Sequence, residues 1–250
     1  MSDLCVIIPV YNHPGTISRT VRAIRQLGLP VMLVDDGSES DCADIIKALA
    51  DADPQVYLKR LPENCGKGAA VKAGLLWAEA LGFCHALQID ADGQHNPAEI
   101  PWLISLSGKH PEAIISGMPE YDDSVPSLRY FARYLTHVWV WINTLSLEIH
   151  DSMCGFRVYP VGRVCQLIRS QYLGDRMDYD TEVLVKWFWQ GGRVVQTKAR
   201  VRYPQDGISH FRGLEDNWLI TKMHTRLFFG MLWRLPRLLL LRGPSKRASQ

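Results

Sequence analysis

Two carboxylates, Asp90 and Asp92, follow the apolar run Ala86-Leu-Gln-Ile89 and stand two residues apart. If a strand continues through them, both point to one face, because alternate strand residues share a side. Gly93 and Asn96-Pro97 then break the strand and turn the chain. Two carboxylates held together repel each other unless positive charge lies between them. A hard divalent cation, Mg2+ or Mn2+, meets that need and keeps coordination positions open for phosphate oxygens of a substrate. A solvated Asp-rich turn is the plain alternative for this segment taken alone.

Three more clusters carry polar chemistry. Asp35-Asp36-Gly37-Ser38 is a second acidic strand end, able to accept a hydrogen bond from a base N–H or from ribose, or simply to cap the helix after it. Glu63-Asn64-Cys65-Gly66-Lys67-Gly68 precedes a helix, where free N–H groups and the helix dipole favour an anion. It lacks the spacing and the Ser or Thr of a P-loop, and no Gly-x-Gly-x-x-Gly occurs anywhere in the chain. Gly207-Ile-Ser-His-Phe-Arg-Gly213 is a glycine-flanked loop whose His210 and Arg212 could close over a bound diphosphate; His210 could also complete a metal shell, or be a plain exposed histidine.

The elements that position these clusters alternate along the first hundred residues. Strands are expected at Leu4–Pro9, Val31–Val34, Val56–Leu61 and Phe83–Ile89, with helices at Thr16–Leu27, Asp41–Ala50 and Gly68–Leu81. Such alternation predicts a mostly parallel sheet with right-handed crossovers, and ligands in such sheets bind beyond the carboxyl ends of the strands. Tyr11-Asn12-His13, Asp35–Ser38 and Asp90–Gln94 all fall at those ends. Further on, Ile114–Gly117 reads as a strand, Leu128–Ile149 as a long aromatic-rich helix, Asp178–Gln190 as a helix and Arg193–Arg202 as an edge strand.

The chain has 250 residues, 47% of them apolar and 22% charged, which suits one catalytic domain with a C-terminal extension. A net charge of +2 gives no reason to expect a nucleic-acid partner. No acidic residue follows Asp216, whereas Lys222, Arg226, Arg234, Arg237, Arg242, Lys246 and Arg247 do, so the C-terminal segment favours an anionic neighbour such as a membrane surface. Leu227–Leu241 mixes Trp, Phe, Leu and Arg, and is interrupted by Arg234, Pro236 and Arg237. It falls short of the ~18 unbroken apolar residues of a span and fits a segment lying in the headgroup region. The six cysteines form no Cys-x-x-Cys pair and fit reduced thiols. Together with the absence of a signal-peptide pattern at Met-Ser-Asp-Leu, this predicts a cytoplasmic protein, peripheral on the inner face of the membrane.

Leu4-Cys-Val-Ile-Ile-Pro-Val-Tyr-Asn12, Val34-Asp-Asp-Gly-Ser38, Asn64-Cys-Gly-Lys-Gly68 and Asp90-Ala-Asp-Gly-Gln-His95 occur in the order and spacing of family 2 glycosyltransferases. The chain resembles the dolichyl-phosphate mannosyltransferase-like branch of that family, and the likeness resumes at Asp151-Ser-Met-Cys-Gly-Phe-Arg157, with Cys154 in place of the usual serine. The resemblance implies a GT-A fold, a Rossmann-like mostly parallel sheet flanked by helices, over residues 1–215, followed by a basic amphipathic helical extension over 216–250. It implies that Pro9, Tyr11, Asn12, Asp36, Lys67 and Asp90 line the nucleotide-sugar pocket, with Asp36 facing the base. Asp92 and Gln94 would hold the divalent cation.

The implied reaction moves a sugar from a UDP- or GDP-sugar donor to a lipid-linked or cell-envelope acceptor with inversion. Asp151, Asp178, Asp180 and Glu182 are candidates for a base, Asp151 and Asp180 foremost. A polyprenyl phosphate acceptor needs no base, being already anionic, and Arg157 with Arg129 and Arg133 would then hold its phosphate. The alternative is a catalytically silent sugar-nucleotide-binding or scaffold protein of the same fold. A nucleotidyltransferase that makes the sugar nucleotide would carry a glycine-rich basic N-terminal loop, which this chain lacks.

Overall fold

The computed structural model describes residues 3–120, 127–201 and 213–241. In chain order the first half holds β1 (Leu4–Val10), α1 (Pro14–Gln26), β2 (Val31–Asp35), α2 (Ser40–Ala52), β3 (Val56–Arg60), α3 (Lys67–Ala80) and β4 (His85–Gln88). Then come α4 (Ile100–Lys109), β5 (Ile114–Glu120), α5 (Ser127–Thr144), β6 (Arg157–Pro160), α6 (Val161–Ser170), α7 (Tyr179–Trp189), β7 (Val194–Arg200) and α8 (Gly213–Leu241).

Every residue of β1 and β2 is buried, as near-continuous apolar strands covered on both faces must be. The seven strands form one sheet in the order β3-β2-β1-β4-β6-β5-β7. β1 to β4 are parallel, β6 runs antiparallel between β4 and β5, and β7 closes the edge parallel to β5. The expected mostly parallel α/β architecture is the one found. One apolar cluster, with Ile7, Val34, Leu75, Tyr159 and Trp187, lies on one face; a second, with Ile8, Ile24, Leu33, Leu87 and Phe156, lies on the other. Fully burying each such side chain contributes about 1.5–3 kcal/mol, which is what holds the helices on the sheet.

Several expectations change. β4 stops at Gln88, so Asp90 and Asp92 lie beyond the strand and not at alternating positions of it. They sit in a turn in which Gly93 adopts φ +73° and Asp92 Oδ1 accepts the Gln94 N–H at 2.9 Å. The helix expected over Leu128–Ile149 ends at Thr144; Leu145 adopts φ +52°, and the Trp141 indole N–H donates back to the Ile149 carbonyl at 2.8 Å. α4, β6 and α6 were not foreseen. β6 is only four residues long and runs straight into α6, so it offers too few residues for a period to show.

α8 is a single 29-residue helix that packs Met223, Leu227, Met231 and Leu238 into the core. Among the described residues no helix is long and apolar enough to cross a membrane. His224 of α8 is buried against α5, its ring stacked on Trp139 at 6.0 Å and its Nδ1 3.4 Å from the Asn143 amide. Burial pushes its pKa down to about 4, against about 6.5 in an unfolded chain. The fold therefore favours the neutral ring, and this contribution is intact above pH 6.5 and lost as pH falls toward 4. Over that window His224 accounts for about 3 kcal/mol of lost stability. Urea unfolding of His224→Gln and of the parent chain, compared between pH 7 and pH 4, should show a shallower acid slope for the variant.

Candidate active site

Parallel pairing sets the carboxyl ends of β2, β1 and β4 side by side, with Val10 opposite Asp35 and Ile7 opposite Gln88. The three polar clusters therefore meet at one edge of the sheet. Pro9 lies within buried β1, opposite Val34. Half-buried Tyr11 and Asn12 follow it. Asn12 adopts φ +53°, a left-handed conformation that Asn tolerates better than most side chains. Its backbone N–H donates to Ser38 Oγ at 3.1 Å and its Oδ1 accepts the Glu39 N–H at 2.8 Å, which joins the β1 and β2 loops.

Asp36 is placed differently from the expectation that it faces a base. Its carboxylate is buried and accepts N–H groups of Cys65 and Gly66 and the side-chain amide of Asn64, at 2.8 to 3.2 Å. Burial raises its pKa, and these backbone donors oppose the rise. Asp36 thus ties the loop before α3 to the end of β2. Gly37 (φ +74°) makes this approach possible, since a Cβ there would lie 2.6 Å from the Glu63 backbone.

That tie delivers Lys67, the first residue of α3, to the centre of the site. Its ammonium lies 2.8 Å from Asp90 Oδ2 and 2.9 Å from Asp180 Oδ2, bridging the β4 turn and the first turn of α7. Burial alone would lower the Lys67 pKa, but Asp180 and Asp90 outweigh it and keep the ammonium charged. Burial likewise would raise Asp90, and the Lys67 charge instead holds it below the usual carboxylate range. Asp92 forms no such ion pair among the described residues. Burial, and next the negative charge of Asp90, push it up to about 6. Among the described residues Asp90 Oδ1 is buried without a hydrogen-bond partner. His95 stacks on Phe156 at 5.0 Å, and its burial lowers its pKa against the pull of Asp90.

Gly155 closes the back of this cluster. A Cβ at that position would lie 2.7 Å from both Lys67 Nζ and Asp90 Oδ2. Gly155→Ala is expected to part the Lys67–Asp90 pair and cost about 1–3 kcal/mol by overpacking, read as a lowered Tm. It should also lower kcat/KM by at least roughly tenfold, as a misplacement of about 1 Å can cost more.

The remaining sequence candidates are enclosed. Asp151 accepts from Arg133 Nε at 2.8 Å and Nη2 at 2.5 Å, and its other oxygen takes the Met153 and Cys154 N–H groups. Arg157 is fully buried, donating to the backbone carbonyls of Asp180 at 2.6 Å and Ser152 at 2.7 Å. It stands behind Asp180, out of reach of a phosphate arriving from solvent. Asp178 accepts the Arg176 N–H. Glu182 is fully buried and paired with Arg226 and Lys186 at 2.8 Å. His210, Arg212 and the Arg129 side chain lie outside the described residues. Lys67, Asp90, Asp92, Gln94 and Asp180 are brought together; Asp151 and Arg133 form a separate pair, and Asp36 with Asn12 a third. His95 and Gly155 were not singled out from the sequence, although each lies within or beside a quoted motif.

The family profile for glycosyl transferase family 2 matches residues 5–173, more than half of the chain. The chain belongs to this family. Among curated proteins, the family 2 chain is 27% identical over 215 residues to an uncharacterized protein of Methanocaldococcus jannaschii, covering 83% of this chain and 91% of that one. It is 31% identical over 172 residues to a polyprenol monophosphomannose synthase of Mycolicibacterium smegmatis, covering 62% and 60%. Among solved structures, a mannosyltransferase of Pyrobaculum calidifontis in complex with GDP-mannose and Mn2+ superposes with a TM-score of 0.57. It is 15% identical, and the match covers 99% of this chain and 77% of that one. The fold is that of GT-A glycosyltransferases, and this family 2 chain is a glycosyltransferase.

Among the described residues no three His, Cys, Asp or Glu side chains gather as a ready-made metal centre. The donor set still suits a hard cation. Among the described residues Asp92 forms no ion pair and Asp90 Oδ1 accepts no hydrogen bond, and Gln94 adds a neutral oxygen two residues on.

Proposed function

We propose that this glycosyltransferase moves a sugar from a UDP- or GDP-sugar to the phosphate of a polyprenyl-type lipid, with inversion at the anomeric carbon. The observation that carries this reading is the state of the four candidate bases. Asp151, Asp178, Asp180 and Glu182 are each at most 5% exposed, and each is held by a cation or a backbone N–H. A carboxylate held in this way is poorly placed to take a proton from a hydroxyl acceptor. A phosphate acceptor arrives already deprotonated and needs only to be positioned. The name of the mycobacterial relative, a polyprenol monophosphomannose synthase, points the same way.

In this reading Pro9, Tyr11 and Asn12 line the nucleoside, with Asp36 shaping the pocket through the loop it holds. Asp92 and Gln94, with the free oxygen of Asp90, would hold a divalent cation, which when bound supplies positive charge to the departing diphosphate. Lys67 adds a second, permanent positive charge beside it. The acceptor phosphate oxygen attacks opposite the leaving group, so the configuration inverts. Arg133, partly exposed beside Asp151, is the side chain we assign to the acceptor phosphate. Arg157 positions Asp180 and the Ser152 turn without touching substrate. His210 and Arg212 would close over the donor.

We read residues 216–250 as the extension that meets an anionic membrane surface on the cytoplasmic side. Lys222, Arg226, Phe229, Trp233, Arg237 and Leu240 recur at helical spacing along α8 and are all exposed, Trp233 at 87% and Leu240 at 77%. The test of function uses UDP- and GDP-sugars with Mn2+ or Mg2+ and a short polyprenyl phosphate, set against the matching polyprenol. Nucleoside diphosphate release that depends on the phosphorylated lipid is expected; equal transfer to the free alcohol would sink the proposal.

A further inference from the structure

A second cationic site lies away from the sugar-transfer centre, at the other end of α7. There a cleft of ≈ 260 Å³ opens between the end of α6, the last turns of α7 and the middle of α8. Tyr172, Lys186, Trp189, Arg226, Gly230 and Arg234 line it. Trp189 is nine residues beyond Asp180, roughly 13 Å along the helix axis.

The charge in this cleft is not balanced. Glu182 is shared by Lys186 and Arg226, which among the described residues leaves three cations against one carboxylate. Arg234 donates only to the carbonyl of Gly230 in its own helix, at 3.0 Å, among its described polar contacts. The cations are also held in place by rings. The Arg226 guanidinium lies 4.5 Å from the centre of Tyr172 and that of Arg234 4.7 Å from Trp189. Lys186 donates to the Tyr172 carbonyl, and burial, offset by Glu182, lowers its pKa with Arg226 and Arg234 adding to the fall. Gly230 keeps the cleft open, because a Cβ there would lie 2.9 Å from the Trp189 ring.

We propose that this cleft receives the phosphate of an anionic membrane-lipid headgroup. Two guanidinium groups and an ammonium suit phosphate oxygens, and Arg forks bind them in pairs. The source is set by the neighbouring surface. Arg226 belongs both to the cleft and to the exposed stripe that continues through Phe229, Trp233, Arg237 and Leu240. A helix lying at headgroup depth on those apolar residues brings the cleft level with lipid phosphates. The inference rests on the membrane-facing reading of α8 and assigns it a defined receptor in place of diffuse attraction.

The test measures sedimentation of the whole chain with vesicles of phosphatidylcholine, with and without phosphatidylglycerol. The parent chain is expected to bind the anionic vesicles, and removing one diffuse charge with Arg237→Gln to weaken binding roughly fivefold. Arg234→Gln should weaken it roughly fiftyfold, since a charge-assisted hydrogen bond goes with the charge. Gly230→Ala keeps every charge but fills the cleft, and should also weaken binding by at least roughly fivefold. Thermal melting of each variant confirms that it folds. Equal losses for Arg234→Gln and Arg237→Gln, with Gly230→Ala unchanged, would overturn the cleft and leave the membrane reading intact. No preference of the parent chain for anionic vesicles would remove both. A Tm rise with inorganic phosphate that Arg234→Gln abolishes, without any difference in vesicle binding, would make the ligand a free phosphate and overturn the lipid assignment.

Discussion

Asp92→Ala is expected to lower sugar transfer by a factor on the order of a hundred to a thousand while leaving the fold intact. The size follows from what the carboxylate lacks. Asp92 sits in a turn beyond β4, half-buried, with backbone N–H groups, that of Gln94 among them, on its carboxylate and the charge of Asp90 beside it. It gives the fold little, so its removal should leave Tm unchanged or slightly raised, because a repulsion with Asp90 disappears. In the proposed function its value lies in the charge it would hold beside a leaving diphosphate, and losing one such stabilising group typically costs 10² to 10³ in kcat. Asp92→Asn keeps the shape without the charge and should lose nearly as much. The readout is nucleoside diphosphate release over a titration of Mn2+, together with donor-induced Tm shifts with and without metal. If Asp92→Ala keeps the metal-dependent shift of the parent chain, the cation is held elsewhere.

The position of this site was legible in the sequence, and much of its wiring was not. Strand–helix alternation placed three polar clusters at strand ends, and parallel pairing of β2, β1 and β4 then made them neighbours. Spacing along one chain cannot say which side chain answers which. Asp36 reads as a ligand-facing carboxylate, yet Asn64, Cys65 and Gly66, some 30 residues later, take up its oxygens. Arg157 reads as a phosphate holder, yet it begins a four-residue interior strand of the sheet and is sealed there. In both cases the deciding partner comes from a distant segment. Glycines show the same limit. Gly155 stands inside the Asp151–Arg157 motif, yet only the assembled site shows Lys67 and Asp90 where its side chain would be.

Lys67 is the residue on which these segments converge, and Lys67→Met is expected to have the largest effect on stability. The substitution keeps the length of the side chain and removes the charge between Asp90 and Asp180, both within 3 Å of the ammonium. Asp90 and Asp180 would then face the same space without the ammonium between them, and of the two only Asp180 has another cation paired with it among the described residues, Arg157 Nη1 at 3.9 Å from Oδ1. Breaking a buried pair by deleting one partner costs about 3–5 kcal/mol, because the remaining charge is left uncompensated. For a chain of this size that is roughly 6 to 12 °C in Tm, taking the lower end of the cost. Asp180→Asn in the same background removes one of the stranded charges and should recover part of the loss. That recovery separates electrostatics from packing, since a purely steric role for the lysine stem predicts no rescue. In the proposed function neither Lys67→Met nor the double variant should transfer sugar, because the positive charge beside the diphosphate is missing and Asp90 is unpaired. A divalent cation should bind the double variant more tightly than it binds the parent chain, as the repelling ammonium is gone and Asp90 Oδ2 is freed beside the already open Oδ1. Isothermal titration with Mn2+ reads this directly: unchanged affinity would mean that Lys67 and the cation do not compete for Asp90.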